Sequence, residues 1–370
     1  MSLSRRKFMQ ATGSGLLLAP AARLMSQTPP ALPLAPMVNE FPGTSQVVMV
    51  QGDDRKKNIT AVLEAMDDQI RPKLKQKKLV VIKPNDVSTV NQLAATHADT
   101  LRAILEYLAP RLKGPIVIAE SSAGNTPEAF ENFHYNVLPK EYSKQKVSLV
   151  DLNTEGKYVM IPLIDFDLHV TPARIAARLV DPDAFVISSA MMKSHNTVVA
   201  TLSVKNMVMG SPLHYAPGES ARWSDKHKYH LSPRHNHYNM LLTAQKLRPN
   251  WGLAIIDGYE GLEGDGPMSG NPVASRIAIA STDFIAADRV GLEAMGVDPS
   301  WVGYLMYAGE VGLGNYDLKK INLQGPPLDS VRKKYRLHST IERQLKWMGP
   351  MEELPKRFSY NHGDGSEYFG

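Results

Sequence analysis

Short, nearly continuous apolar runs punctuate the chain: QVVMVQG from Gln46, LVVIKPN from Leu79, PIVIAESS from Pro115, VSLVDL from Val147, AFVISSA from Ala184, WGLAIIDG from Trp251 and SRIAIAS from Ser275. Runs of this length without a polar alternate are the pattern of strands covered on both faces. Between them RKKNITAVLEAMDDQI, ADTLRAILEYLAP, TPEAFENFHYNVL and DFIAADRVGLEAMG carry helical spacing. Asp99 is the expected cap of the second, and Pro127 sits in the first turn of the third. The alternation predicts an α/β fold: an open, mostly parallel or mixed sheet with helices on both faces. Ligands of such sheets bind beyond the carboxyl ends of the strands. Polar or glycine-rich segments follow four of the runs: KPND (Lys83 to Asp86), ESSAGN (Glu120 to Asn125), SSAMMKSH, and DGYEGLEGDGP (Asp257 to Pro267).

The ends of the chain read differently. Residues 1–21 hold Arg5, Arg6 and Phe8 ahead of a short apolar run and an Ala19/Ala21 pair, an order similar to a twin-arginine export signal. The run is too short and broken for a permanent membrane span, so the expected partner is the twin-arginine export machinery and the expected location periplasmic or otherwise exported. A Pro-rich linker follows over 22–45, and the α/β domain is expected over 46–330 with an insertion rich in His and Tyr at 211–238. Residues 331–370 read as a C-terminal helix near TIERQLKWM and a polar tail.

Composition narrows the function. The formal charge of +5 falls to +2 once Arg5, Arg6 and Lys7 are set aside, which leaves no basic stripe for nucleic acid. With no cysteine, disulfides, iron–sulfur clusters and thiolate-ligated zinc are excluded, so a divalent metal such as Mg, Ca, Mn or Zn would need oxygen or imidazole ligands. P-loop, G-x-S-x-G and strand-linked G-x-G-x-x-G patterns are absent.

Three segments carry candidate chemistry. In MMKSHNTVVATLSVKNMVMG, Lys193, His195, Lys205 and Asn206 are set among apolar residues, and buried cations of this kind need an anionic partner. Lys193 and His195 alternate, so an extended backbone points them the same way. With Lys205 they form a candidate clamp for phosphate, carboxylate or sulfate, or an acid–base set. In DGYEGLEGDGPMSG, read as a loop, the carboxylates of Asp257, Glu260, Glu263 and Asp265 call either for a hard cation, with Asp257 and Glu263 as ligands, or for neutralisation by Lys193 and Lys205; a solvated acidic turn is the plain alternative. The insertion holds His214, His227, His230, His235 and His237 with Tyr215, Trp223, Tyr229 and Tyr238. His235 and His237 would share one side of an extended segment as metal ligands, although a lid over the substrate suits the spacing better. Ser121 offers an anion contact or a helix cap.

The blocks VVIKPN, IAESS, MMKSHNTVVATLSVKNMVMG, DGYEGLEGDGPMSG, ASTDFIAADRVGLEAMGVDP and AGEVGLG stand in the order and approximate spacing of domain-of-unknown-function family 362, which this chain resembles from about Val80 to about Gly314. The resemblance implies an α/β domain and marks Lys83, Asn85, Glu120, Lys193, His195, Lys205, Asn206, Asp257, Glu263, Asp283 and Asp288 as its matched polar positions, without supplying a reaction. Some relatives carry iron–sulfur modules, from which a chain without cysteine departs. The resulting expectation is an exported, metal-assisted hydrolase, lyase or group transferase acting on a small anionic or polyhydroxylated molecule. Lys193, His195 and Lys205 would be catalytic, with Lys83, Asn85, Ser121, Asn206, His235 and His237 on the substrate. A non-catalytic periplasmic protein binding a metal or an anion is the alternative, and an envelope-complex partner using the strap and tail a third.

Overall fold

A computed structural model describes residues 43–220 and 224–349. The export signal, the linker up to 42, Trp223 and the tail from 350 lie outside the described residues. The apolar runs form strands as the pattern predicts: β1 (Ser45–Gln51), β2 (Leu79–Lys83), β3 (Ile116–Glu120), β4 (Val147–Asp151), β7 (Ala184–Ser194), β9 (Trp251–Glu263) and β11 (Ile277–Ser281). Shorter strands complete the set: the hairpin β5 (Tyr158–Ile164) and β6 (Val170–Ala176), then β8 (Ala200–Thr201), β10 (Asn271–Val273) and β12 (Ile321–Gln324).

The main sheet has ten strands, eight of them in the order β12-β1-β11-β9-β7-β2-β3-β4, with β8 added to β7 and β10 to β9. Along that path only β11 runs against its neighbours, so the sheet is mostly parallel. From β2 the chain winds outward through β3 to β4, then returns to the other side of β2 as β7. This reversal opens a crevice at the carboxyl ends of β2 and β7, where such folds hold ligands.

Strand periodicity assigns the two faces. Val80, Ile82, Ile116, Ile118, Phe185, Ile187, Leu253 and Ile255 pack in one apolar cluster with Ile59, Leu63, Leu101 and Ile104 of the helices α1 (Arg55–Ala65) and α3 (Ala98–Leu108). The helix that caps α1 against the sheet edge, α2 (Asp67–Leu74), adds Ile70 and Leu74. The opposite face receives α5 (Ser203–Gly210), α6 (Pro233–Leu247), α7 (Phe284–Ala294) and α8 (Gly303–Glu310), after the short α4 (Thr126–Asn132) that follows β3.

Caps fix the helix starts. Asp54 accepts from Lys57 N, Asn125 from Glu128 N, and Asp283 from Ile285 N and Ala286 N. Helix α3 departs from expectation: His97 is the cap, its Nδ1 accepting from Asp99 N, because Asp99 is already within the first turn and pairs with Arg102. The expected DGYEGLE loop is instead the second half of β9, and its glycines serve close approach. A Cβ at Gly261 would meet Tyr335 Oη at 2.0 Å and Met192 O at 2.9 Å. Among the described residues no helix is long and apolar enough to cross a membrane.

Candidate functional site

The crevice is a cavity of about 550 Å³ whose floor is built by the strand ends. Lys83, the last residue of β2, is fully buried and its Nζ donates to Glu120 Oε1 at 2.8 Å, Glu120 Oε2 at 2.9 Å, Asn206 Oδ1 at 3.1 Å and Pro84 O at 2.9 Å. Glu120 ends β3, and its carboxylate also accepts from Ser121 N at 2.8 Å and Asp86 N at 3.1 Å. One ammonium and one carboxylate thus neutralise each other with their hydrogen-bonding capacity nearly filled, the condition under which a buried pair is tolerated. Gly210 makes room for it: a Cβ there would lie 2.1 Å from Lys83 Cε.

Asp86 lies beside this pair with 1% exposure. Its Oδ1 accepts from Tyr135 Oη at 3.0 Å, while Oδ2 has no partner. Burial, and then the Glu120 carboxylate, push its pKa well above the usual carboxylate range, toward the protonated acid.

Two further lysines, Lys205 and Lys226, line the same cavity, and a third, Lys193, lies outside its lining. Helix α5 presents Lys205, whose Nζ has no hydrogen bond or ion pair to any described residue. Burial and the nearby Lys83 bring its pKa down to about 7. Lys226, from the insertion, donates to Ser121 Oγ and Met209 O, each at 3.0 Å, and is likewise lowered to about 7, chiefly by burial. Lys193, on β7, donates to Ala94 O at 2.7 Å, and burial followed by Lys205 holds it well below the usual ammonium range. Among the described residues of the lining, the acids are Glu120, already committed to Lys83, and Asp86. An anion entering the cavity would find unmatched positive charge.

The position of Lys205 is fixed indirectly. No side chain within α5 caps its start. Instead Asp288 of α7 accepts from Ser203 N at 2.8 Å and Val204 N at 2.9 Å, while burial pushes its own pKa up to about 8. Asp283 similarly fastens α7 and also accepts from Ser45 Oγ and Asn315 N. Both aspartates therefore position helices and neither lines the cavity.

Of the residues singled out by sequence, Lys83, Asn85, Ser121, Lys205 and Asn206 line the cavity. Lys193 and His195 lie behind its wall, close enough that Lys205 lowers the basicity of both. His195 Nδ1 accepts from Thr197 N at 3.0 Å, which leaves the proton of the neutral ring on Nε2.

The acidic segment goes elsewhere. Asp257 belongs to the β9 face that meets α1 and α3: its Oδ2 lies 3.0 Å from Arg55 Nε and accepts from Thr100 Oγ1 at 2.6 Å. Glu263 accepts from Arg336 N at 2.8 Å. The two carboxylates thus have separate partners within the chain, Arg55 with Thr100 for Asp257 and Arg336 N for Glu263, and β9 is bulged between them, where Met191 and Lys193 of β7 pair with Asp257 and Leu262. His235 and His237 are not on an extended segment but in the first turns of α6, about 200° apart around the helix. His237 packs against Trp347 and Tyr304, and His235 against Phe166. The insertion contributes to the cavity through His214, Ser224, Lys226, His227 and His230. Sequence reasoning passed over Asp86 and Lys226. The first stood inside the quoted KPND, and the second among five histidines that drew attention from it.

A family model described as a domain of unknown function, DUF362, matches residues 80–293. A thylakoid-associated protein of Synechocystis sp. is 29% identical over 144 residues, 38% of this chain and 41% of that protein, so the chain spans under half of that relative's length. Among solved structures, a Thermotoga maritima protein shares 10% identity over 56% of this chain and 51% of its own, with a TM-score of 0.39.

Proposed function

The chain belongs to the DUF362 family, and from that premise we propose that it is an enzyme acting on a small anionic molecule bound at the carboxyl ends of β2, β3 and β7. One observation carries the reading: Lys205 faces a cavity of about 550 Å³, buried and without a partner for its ammonium among the described residues, beside Lys226 and above a floor whose one committed carboxylate is already matched. A desolvated lysine with a pKa of about 7 exchanges protons readily at neutral pH. Lys205 is therefore the proton acceptor of the reading, in place of His195, whose Nδ1 is held by Thr197. Asp86, pushed toward the protonated acid by burial and Glu120, is the matching donor. Ser121 and Lys226 hold the anion from the insertion side. The reading routes no step through a metal at Asp257 and Glu263, which face Arg55 and Arg336 N.

Thermal shift of the full chain with inorganic phosphate, sulfate and small carboxylates tests the binding. A ligand at about 100 times its Kd stabilises by about 2.7 kcal/mol. Lys205→Met is expected to abolish that shift. Absence of any anion-dependent shift, or its survival in Lys205→Met, overturns the reading. A turnover screen of phosphate monoesters and hydroxy acids then separates enzyme from binding protein: stabilisation without product supports the binder. Export belongs to the same proposal and rests on Arg5 and Arg6. Cell fractionation of the full chain against Arg5→Lys/Arg6→Lys checks it.

A further inference from the structure

Resting on the anion-binding reading, we infer that the ligand is a polyhydroxylated anion, a polyol phosphate or a sugar acid, whose hydroxyl groups meet Asn85, Ser122 and Asn236 in the cavity lining. The cavity is many times larger than an inorganic oxyanion needs, and its volume is that of a site for a whole small molecule. Beside the lysines, three separate elements contribute neutral polar side chains to the lining: Asn85 follows β2, Ser122 follows β3, and Asn236 lies in the first turn of α6.

These three side chains are 5%, 2% and 2% exposed, and Asn85 Oδ1, Ser122 Oγ and Asn236 Oδ1 have no hydrogen-bond partner. An unmatched buried polar atom is destabilising, so three in the lining of one cavity are a demand for complementary groups. Amide oxygens accept and do not donate. A phosphate, sulfate or carboxylate has no donor to give them, and an amine would add a cation beside Lys83, Lys205 and Lys226. A hydroxyl is neutral, donates to either amide oxygen and exchanges roles with Ser122. Among the described residues the lining includes no Phe, Tyr or Trp, and its only rings are the imidazoles of His214, His227 and His230 and the ring of Pro233. A chain of carbon-bound hydroxyls ending in an anion answers both the amide oxygens and the lysines.

Calorimetric titration of the full chain with two matched series decides the matter and distinguishes the sources of the anion. One series is methyl phosphate, glycerol 3-phosphate and a tetritol phosphate; the other is acetate, glycerate and gluconate; glycerol alone is the uncharged control. In one of the two series affinity should rise by roughly tenfold or more from the first member to the last, and glycerol alone should not bind. Asn236→Leu should remove that rise and leave methyl phosphate or acetate binding in place, and the smaller change Ser122→Ala should reduce it. Equal affinity along both series, within about a factor of two, overturns the hydroxyl inference and leaves the anion reading standing, as does an undiminished rise in both variants. Failure of every member of both series to bind overturns both.

Discussion

Removing either member of the Lys83–Glu120 pair should expose how the crevice is braced. The two side chains are 0% and 3% exposed, joined at 2.8 and 2.9 Å, and linked on to Asn206 and the N–H groups of Ser121 and Asp86. Glu120→Gln keeps the shape and removes the charge, leaving an ammonium buried with neutral acceptors. Lys83→Met leaves a carboxylate with only backbone donors. Breaking a buried pair from one side costs about 3–5 kcal/mol. With an unfolding entropy of about 2.1 cal/mol/K per residue and some 300 ordered residues, that lowers Tm by roughly 5–8 °C. The double variant leaves no unpaired charge, so it should be more stable than either single one, with a coupling of about 2–3 kcal/mol. Urea unfolding of the four proteins under one buffer condition measures this. Single variants within about 1 kcal/mol of the parent, and additive in combination, would refute the claim that the pair is an internal brace.

The remaining predictions concern the neighbours of that brace. Gly210→Ala places a Cβ 2.1 Å from Lys83 Cε and 2.2 Å from Nζ, and Lys83, held by four hydrogen bonds, has nowhere cheap to move. Its Tm should fall by about as much as that of Lys83→Met. Lys205→Met should act in the other direction. In the unfolded chain Lys205 holds its proton to about pH 10.4. Folded, it releases the proton near a pH of about 7. Between those values the unfolded state binds more protons, so the lysine's contribution to stability rises with pH. The methionine variant should be more stable than the parent near pH 6, by several kcal/mol at most, and the gain should vanish above about pH 10 in a pH series of urea melts. Asp257→Asn leaves Arg55 facing a neutral amide, so it should lower stability by about 2–4 kcal/mol while anion titrations stay unchanged, since Asp257 lies away from the cavity lining.

How far sequence reaches into this molecule is decided by range of interaction. Strand runs such as LVVIK and AFVISS are legible because burial on both faces demands an unbroken apolar run, and the seven predicted this way are the strands observed. Hairpin β5–β6 escaped because its pattern is mixed, with Tyr158 and Met160 exposed and Ile161 and Leu163 buried, and Pro162 and Pro172 opposite one another. DGYEGLE was misread as a loop since its glycines suggest turns; they are there because Tyr335, over seventy residues later, packs against Gly261. Lys83, Asn85, Ser121, Lys205 and Asn206 were found together because each follows a legible strand or opens the helix after one. Lys226 was not, because nothing local indicates that an insertion folds back on Ser121.

The same distinction explains why Asp257 of β9 and Lys205 of α5 do not answer each other. A strand turns successive side chains to opposite faces, so Leu253, Ile255 and Asp257 look toward α1 and α3, where Arg55 and Thr100 wait. Lys205 comes from α5 on the opposite face, and the sheet lies between. Neutralisation of Lys205 and Lys226 by Asp257 would require β9 to slip by one residue, which would carry Ile255 and Leu253 out of the apolar cluster they fill. Packing of the core thus keeps the surplus carboxylates away from the crevice. Glu120 can match one ammonium, and it is spent on Lys83 at 2.8 Å. Any charge that balances Lys205 and Lys226 has to arrive from outside the described residues, or else be avoided by loss of their protons, and a pKa of about 7 for each places the two outcomes within reach of one another at neutral pH.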